Sequence, residues 1–446
     1  MKSYQVILRR LALPGLAFIC SCGFGHAGLG TFDSSEKDQN SLLWLALLGG
    51  GSGNRVTQLA AFNHTCALFP TGNVRCWGSG ANGRLGYGNT NNIGDNETPA
   101  SAGDVNVGGT VTQITVGGSH MCALLSSGNV LCWGLNTNGQ LGYGNTNTIG
   151  DDEVPASAGD VNVGGTVTQI SAGNSHTCAL LTNGAVRCWG SGANGRLGYA
   201  NTNDIGDNET PASAGDVNVG GAVTQISVGY NHTCALLNTG NVRCWGFSGA
   251  MGYGNTNTIG DNETPASVGD LTIGGTVVRV AAGGDHSSVI LSNGAIRSWG
   301  SNANGQLGYG NANRIGDDET PASAGDVNIG GTVTQISAGL NGHACVVLTD
   351  GALRCWGGTA GTGRLGYGNL SHVGDNETPA SAGNVNVGGG VTQVANGFGH
   401  TCAILSSGNV LCWGTNFAGK LGLGNLNNMD VGDDELPVTS GFALIY

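Results

Sequence analysis

The sequence predicts an all-β chain folded as a seven-bladed β-propeller, built from seven repeats of about 56 residues. Three observations carry that expectation. A phrase of the form HTCALL..G.VRCWG recurs through the chain, and its first cysteines, with Ser288 in the fifth place, are spaced 56, 56, 56, 54, 57 and 57 residues apart. A period of that length marks a repeat architecture. Glycine numbers 84 of 446 residues but recurs at fixed turn positions rather than in tracts, which removes a low-complexity reading. Beyond the leader, no segment shows a 3.6-residue apolar period, so the units are strands and turns.

Each unit reads in the same order. It opens on a strand such as Gln113-Ile114 or Gln169-Ile170 in the run VTQI. A hairpin follows, and in the first copy Thr65 to Phe69 and Val74 to Trp77 flank the turn Pro70-Thr71-Gly72-Asn73. After the Trp-Gly turn come LGYGNTN and an acidic stretch such as GDDEVPASAGDVNVGG. That gives three or four short strands, with Pro155 to Val163 as a weak edge strand where proline is tolerated. Closing seven such units into a ring covers each unit's faces with its neighbours. A linear β-solenoid is the alternative, but its repeats are usually shorter and it needs distinct caps.

Twelve of the fourteen cysteines form six pairs of one spacing: Cys66 with Cys76, Cys122 with Cys132, Cys178 with Cys188, Cys234 with Cys244, Cys345 with Cys355 and Cys402 with Cys412. In the fifth copy Ser288 and Ser298 replace both together, as a covalent bond between the two positions would require. With the hairpin centred on Thr71, Cys66 faces Cys76, and a cross-strand disulfide fits. The alternatives are free buried thiols, or a metal site that adds the histidine two residues before each first cysteine. His286 persists where both thiols are gone, which argues for a separate task for the histidine.

The strings GxxHTCALL, G.V.CWG and N..GQLGYGN resemble the repeat of the regulator of chromosome condensation family over nearly all of Asn54 to Tyr446. His64, Trp77, Gly78, Leu85 and Gly86 and their counterparts match that repeat's signature positions, with Met251 replacing leucine in the fourth copy. The resemblance implies a seven-bladed propeller. It also implies two kinds of activity. Some secreted bacterial members bind and inhibit other proteins through loops on one face, and the nuclear members exchange guanine nucleotide on a small GTPase. The cysteine pairs and the long acidic segment depart from the family pattern.

The chain begins with Lys2, Arg9 and Arg10, then the apolar run Leu11 to Ile19, then small residues, which reads as a secretory signal over residues 1–21. Ile19-Cys20-Ser21-Cys22 resembles a loose bacterial lipobox and would leave Cys22 acylated; Gly25-His26-Ala27 offers an ordinary cleavage site instead. The lipoprotein reading also settles the cysteine count. Residues 22–53 form a linker with a short apolar segment, too short to span a bilayer. Residues 54–446 are the propeller. Leader and disulfides together predict an exported protein of the cell envelope or outer surface, held to the membrane by its lipid and expected as a monomer.

The formal charge is −13, and with three cations in the leader the chain from Cys22 carries 13 − 29 = −16. Nucleic acid is therefore not an expected partner, because phosphate binding needs clustered Lys and Arg. The acids recur as Asp95/Glu97, Asp151/Asp152/Glu153, Asp207/Glu209, Asp261/Glu263, Asp317/Asp318/Glu319, Asp375/Glu377 and Asp433/Asp434/Glu435. Solvated turns are one reading and calcium the other, although the spacing fits no EF-hand or nonapeptide calcium loop. No other cofactor is expected.

Residues present in every unit build blades. His64, His120, His176, His232, His286, His343 and His400 are expected to hydrogen-bond within each blade, and the seven Trp-Gly tryptophans to fill the space between blades. No phosphate loop, Gly-x-Ser-x-Gly elbow or HExxH occurs, and polar singletons such as Asp285, Arg314 and His372 are scattered, so an enzyme is not predicted. Function belongs where the repeats differ. Before the histidine, the varying position places Phe62, Leu340 and Phe398 on adjacent units, with Tyr230 in the fourth, and the loop after Trp-Gly adds Phe247 and Phe417. These are the candidate interface for an unidentified protein, or for a glycan, given the aromatic-Asn-Asp loops.

Overall fold

The computed structural model describes residues 55–247, 249, 251–358, 361–424 and 429–446. The signal over 1–21, the lipidated Cys22 and the linker 22–53 lie outside the described residues. Seven antiparallel sheets follow one another, each of three strands in the order first, second, third. The second sheet is representative, with strands Val111–Val116, His120–Leu125 and Val130–Gly134. Successive first strands neighbour one another around the ring, and the first strand of blade one, Gln58–Ala61, meets that of blade seven, Val391–Asn396. The ring is closed.

The expected fourth strand does not form. A single antiparallel bridge stands in its place, Gly78 to Ile93 in blade one and its counterparts in the other six. Pro155–Ser157 is a 3-10 turn rather than an edge strand. Five blades carry a one-turn helix there, beginning at Pro99, Pro211, Pro265, Pro321 and Pro379. Proline at the first helical position has its φ already set and no N–H to lose. In the first of these, Thr98 accepts from the Ser101 N–H at 3.2 Å. The following Val105 N–H donates to Val74 O at 2.8 Å, so the segment clips to the outer strand through an isolated bond, too little for a ladder.

All six cysteine pairs are disulfides. Cys66 is bonded to Cys76, Cys122 to Cys132, Cys178 to Cys188, Cys234 to Cys244, Cys345 to Cys355 and Cys402 to Cys412, with Cα atoms 4.0 to 4.1 Å apart. In each blade the two partners face one another in register across the hairpin. The free-thiol and metal alternatives therefore fall away at all twelve positions. Closing so short a loop stabilises each hairpin by roughly 2 to 3 kcal/mol. In blade five, Ser288 and Ser298 occupy the same register and share a hydrogen bond of 2.8 Å. In blades one to four and six the LGYGN tyrosine braces the cystine strand, in blade five it braces Ser298, and blade seven has Leu423 there instead. Tyr87 Oη donates to Gly103 O at 3.0 Å and accepts from the Cys76 N–H at 3.2 Å.

The blades are joined by recurring side chains: the tryptophans lie between blades, and the histidines, expected to bond within their own blade, reach the next one instead. Trp189 Nε1–H donates to Gln140 O of the preceding blade at 3.1 Å, and Trp77 Nε1–H closes the ring on Lys420 O at 2.9 Å. The Thr177 hydroxyl donates to the same Gln140 carbonyl at 3.2 Å. Its oxygen therefore accepts from His120 Nε2–H at 2.8 Å, which fixes the histidine as the neutral Nε2–H tautomer. The recurrent glutamine of VTQI supplies a second link. Gln113 Nε2 donates to Ile170 O at 3.0 Å and its Oε1 accepts the Ile170 N–H at 2.9 Å, so one carboxamide pairs with both backbone groups of the next inner strand. Gln393 begins the same contact across the closure, accepting the Leu59 N–H at 2.8 Å.

Glycine is required where blades touch. Gly142 has φ +83°, and a Cβ there would lie 2.9 Å from the Trp189 indole nitrogen. At the closure, residues near the C-terminus take the role that Asp104 to Gly108 plays elsewhere. Ala443 N–H donates to Val410 O at 2.9 Å, and Leu444 O accepts the Ala100 N–H at 3.0 Å.

Candidate functional site

The two variable loops lie on one face. The loop after each Trp-Gly returns beside the turn before the histidine, as in Thr415 N–H to Gly399 O at 2.8 Å and Phe247 N–H to Asn231 O at 3.0 Å. The reason is the hairpin register, which sets His64 opposite Gly78 and so brings the entry of the second strand beside the exit of the third. Hairpin turns such as Thr71–Asn73 lie at the other ends of the same strands.

On this face the predicted apolar patch is only partly formed. Phe398 is 39 % exposed and Phe417 69 %, but Phe62 is 1 % exposed. Phe62 lies beneath Phe398, their ring centroids 5.8 Å apart, and its carbonyl accepts the Phe398 N–H at 2.9 Å. The two rings thus cover part of one another's surface. Leu340 is half-buried against the core and does not complete the patch. Blade six reaches Phe398 through a cation instead, with Arg364 Nη1–H donating to Phe398 O at 3.1 Å. Tyr230 is half-buried, and Phe247, 42 % exposed, sits beside it on blade four, away from the others.

The cations are the feature that the sequence reading missed. Most recurring arginines are structural: Arg75, Arg187, Arg243 and Arg297 each hold an aspartate, at 2.5, 2.8, 2.7 and 2.8 Å, and each also bonds a carbonyl of the preceding blade. A second set occupies the residue before the Leu-Gly of LGYGN. There Arg84, Arg196, Arg364 and Lys420 are buried, and none lies within ion-pair distance of a carboxylate among the described residues. Burial pulls the Lys420 ammonium down to about 8, with repulsion from Arg84 adding to it and Asp430 opposing. Burial likewise pulls Arg364 down to about 10. The signal was legible in principle, because this position varies as Arg84, Gln140, Arg196, Ala250, Gln306, Arg364 and Lys420 between flanking constants.

Three of these cations, Arg364, Lys420 and Arg84, come from blades six, seven and one, which are consecutive in the ring. The exposed aromatics Phe398 and Phe417 come from the same sector, and Lys420 Nζ stands 5.9 Å from the centroid of the Phe417 ring. An apolar surface beside unpaired cations suits a partner that offers both aromatic or aliphatic groups and acids.

The acidic clusters are arranged differently. In Asp151/Asp152/Glu153, Asp317/Asp318/Glu319 and Asp433/Asp434/Glu435 the carboxylates lie within 4.8 Å of one another, on residues that are half-buried or exposed. Burial pushes Glu153, Glu319 and Glu435 up, and the neighbouring aspartates add to it. Of the polar singletons, Arg314 and Asp317 form a loose ion pair at 4.0 Å and His372 stands 3.9 Å from Asp375. Neither contact assembles a catalytic group.

The chain matches the RCC1-like domain over residues 73–439. It is similar to the ultraviolet-B receptor UVR8 of Arabidopsis thaliana, at 30 % identity over 82 % of this chain and 78 % of that protein. It is also similar, at 34 % identity over 45 % of this chain, to the probable E3 ubiquitin-protein ligase HERC3 of Homo sapiens, of which the match covers only 18 %. Its fold is similar to that of Prp20p from Saccharomyces cerevisiae, whose structure was described with its binding to Gsp1p and histones. The TM-score is 0.63 at 18 % identity, over 87 % of this chain and 88 % of the other.

Proposed function

The chain belongs to the RCC1-like domain family, and from that premise we propose that it is a protein-binding propeller whose contact surface is the blade six, seven and one sector of the variable-loop face. One observation carries the reading: Phe398 and Phe417 are exposed beside the buried cations Arg364 and Lys420, while the recurring histidines, tryptophans and glutamines are consumed in joining blades. Aromatic and arginine side chains are the residues that dominate binding energy at protein interfaces. The partner would present acidic and apolar groups together, matching a cationic spot on an otherwise acidic protein.

We extend the reading to export, supported by the leader and the six cystines, which persist in oxidising compartments. Guanine-nucleotide exchange rests on family likeness alone, and the acidity and the cystines favour the exported binding reading over it. A carbohydrate would need aromatic faces flanked by hydrogen-bonding Asn and Asp, and the neighbours that Phe398 contacts are Arg364 and Phe62.

The test is crosslinking on intact cells with a membrane-impermeant reagent, followed by recovery of wild-type protein and of the double variant Phe398→Ala with Phe417→Ala. The reading predicts one partner crosslinked to wild type and reduced about tenfold in the variant, the effect of losing about 1.4 kcal/mol at an anchor. Equal recovery with both proteins would sink the sector, and no labelling of the intact cell would sink export.

A further inference from the structure

We propose that the seam where the ring closes carries a binding site for a neutral sugar, a single pyranose unit, on the face opposite the variable loops. A cleft of about 270 Å³ opens there between the blade-one hairpin and the closing segment, with Phe69, Thr71, Asn73, Arg75, Asp104 and Tyr446 in its wall. Both of its aromatic residues depart from the repeat. Phe69 stands where the other six hairpins have leucine, as at Leu125 and Leu237. Tyr446 follows Ile445, whose carbonyl accepts from Arg75 as that of Val219 accepts from Arg243, so Tyr446 occupies the place of Gly220. Blade four is therefore the internal comparison. Its Asn241, Arg243 and Asp270 make the same polar cluster as Asn73, Arg75 and Asp104, but with Leu237 and Gly220 in place of the two rings.

The geometry specifies the ligand's charge and shape. Tyr446 Oη donates to Gly408 O at 2.6 Å and accepts the Val56 N–H at 3.4 Å, which pins a side chain that is 49 % exposed. The buried Phe69 ring meets it edge to face, with centroids 6.2 Å apart, and carries the Arg75 guanidinium 5.2 Å from its own centroid. Tyr446 is thus the open aromatic surface of the cleft, held in place from three sides. Beside it, Arg75 Nε–H donates to Asp104 Oδ1 at 3.0 Å and Asn73 Nδ2–H to Asp104 Oδ2 at 2.7 Å. That pairing leaves the cleft without net charge, so a charged ligand would find no counter-ion in it. Acceptors remain for hydroxyl groups. The Asp104 carboxylate keeps a lone pair at Oδ2, and the Thr71 hydroxyl and Asn73 Oδ1, both on exposed residues, make no hydrogen bond among the described residues. One aromatic surface rimmed by acceptors and a hydroxyl matches a pyranose, whose C–H bonds line one face and whose hydroxyls ring the edge. The volume lies just under the about 300 Å³ at which pockets for drug-sized ligands begin, which suits one sugar ring.

This site lies on the other face from the protein-contact sector and takes a small neutral ligand, so the two readings fail separately. The experiment is saturation-transfer NMR with the methyl pyranosides of glucose, galactose, mannose and N-acetylglucosamine, and with tetrasaccharides of the same sugars. Wild type is compared with Tyr446→Phe, Tyr446→Ala, Asn73→Ala and Asp270→Asn, the last altering only the blade-four cluster. The proposal predicts saturable transfer from wild type to the C–H protons on one face of a sugar. Affinity should fall about tenfold in Tyr446→Ala and be retained in Tyr446→Phe, which keeps the ring. Asn73→Ala, in an exposed turn, should also weaken binding and carries the test if Tyr446→Ala loosens the seam; Asp270→Asn should bind as wild type does. Transfer to a methyl pyranoside marks a single sugar as sufficient, and transfer to a tetrasaccharide alone, weakened in Asn73→Ala, places the same unit within a glycan chain. No saturable transfer to any probe, transfer undiminished in both Tyr446→Ala and Asn73→Ala, or an equal loss in Asp270→Asn overturns the site.

Discussion

The histidine of each repeat shows how far one side chain can be read. Its recurrence marks it as structural, but its partner lies one blade away, on a threonine whose own hydroxyl is committed to a carbonyl, as for His400, Thr65 and Lys420 O. The pairing fails twice. Met121 faces His64 and Ala344 faces His286, and there both ring nitrogens lack partners. Burial pulls all seven histidines down, to about 3 for His120, His232 and His400 and about 4 for His286. Nδ1 lacks a hydrogen-bond partner in all seven, so a proton there would also find no acceptor. The unfolded chain binds these protons near pH 6.5 and the folded chain does not, so stability is full above about 6.5 and falls as pH drops below it. Each histidine contributes a slope of up to about 1.4 kcal/mol per pH unit until its folded value is reached. Chemical denaturation at pH 7, 6, 5 and 4 should show a flat region and then a steep loss. A stability unchanged down to pH 4 would mean that the histidines stay solvated.

At the scale of the element, blade five and its junction with blade six stand out. The missing disulfide was plain in Ser288 and Ser298. The further losses needed the structure. Arg279 replaces the clamping glutamine and is exposed, Ala344 removes the hydroxyl that His286 would use, and Ala281 stands where Ser171 and Ser227 accept an N–H from the next blade. Correspondingly, Ile336 and Ala338 are half-buried, whereas their counterparts Ile170 and Ala172 are buried. Glutamine recurrence in VTQI was visible, but only the blade-to-blade geometry reveals what the carboxamide does. Hydrogen exchange should therefore find the least protected core amides in Val277–Ala282 and Val333–Ala338, with opening free energies below those of the other inner strands. Protection there equal to that of Val167–Ala172 would count against the polar clamps as the links that hold the ring.

For the whole molecule, period, strand order, cystine register and ring closure were legible because each follows from a local pattern repeated seven times. The contact face was only half legible. Exposure of Phe398 and burial of Phe62 depend on a packing contact between the first and last blades, which no local window contains. The cations were hidden by the net charge, since a total of −13 says nothing of where the few buried positive groups lie. The resulting molecule spends its repeated residues on joining blades and leaves recognition to departures from the repeat in one sector. Hydrogen exchange of the complex against the free protein tests that division most directly. The account predicts new protection at 62–63, 361–364, 398–399 and 415–420 on partner binding; protection confined to hairpin turns such as Thr71–Asn73, with none in that sector, would contradict it.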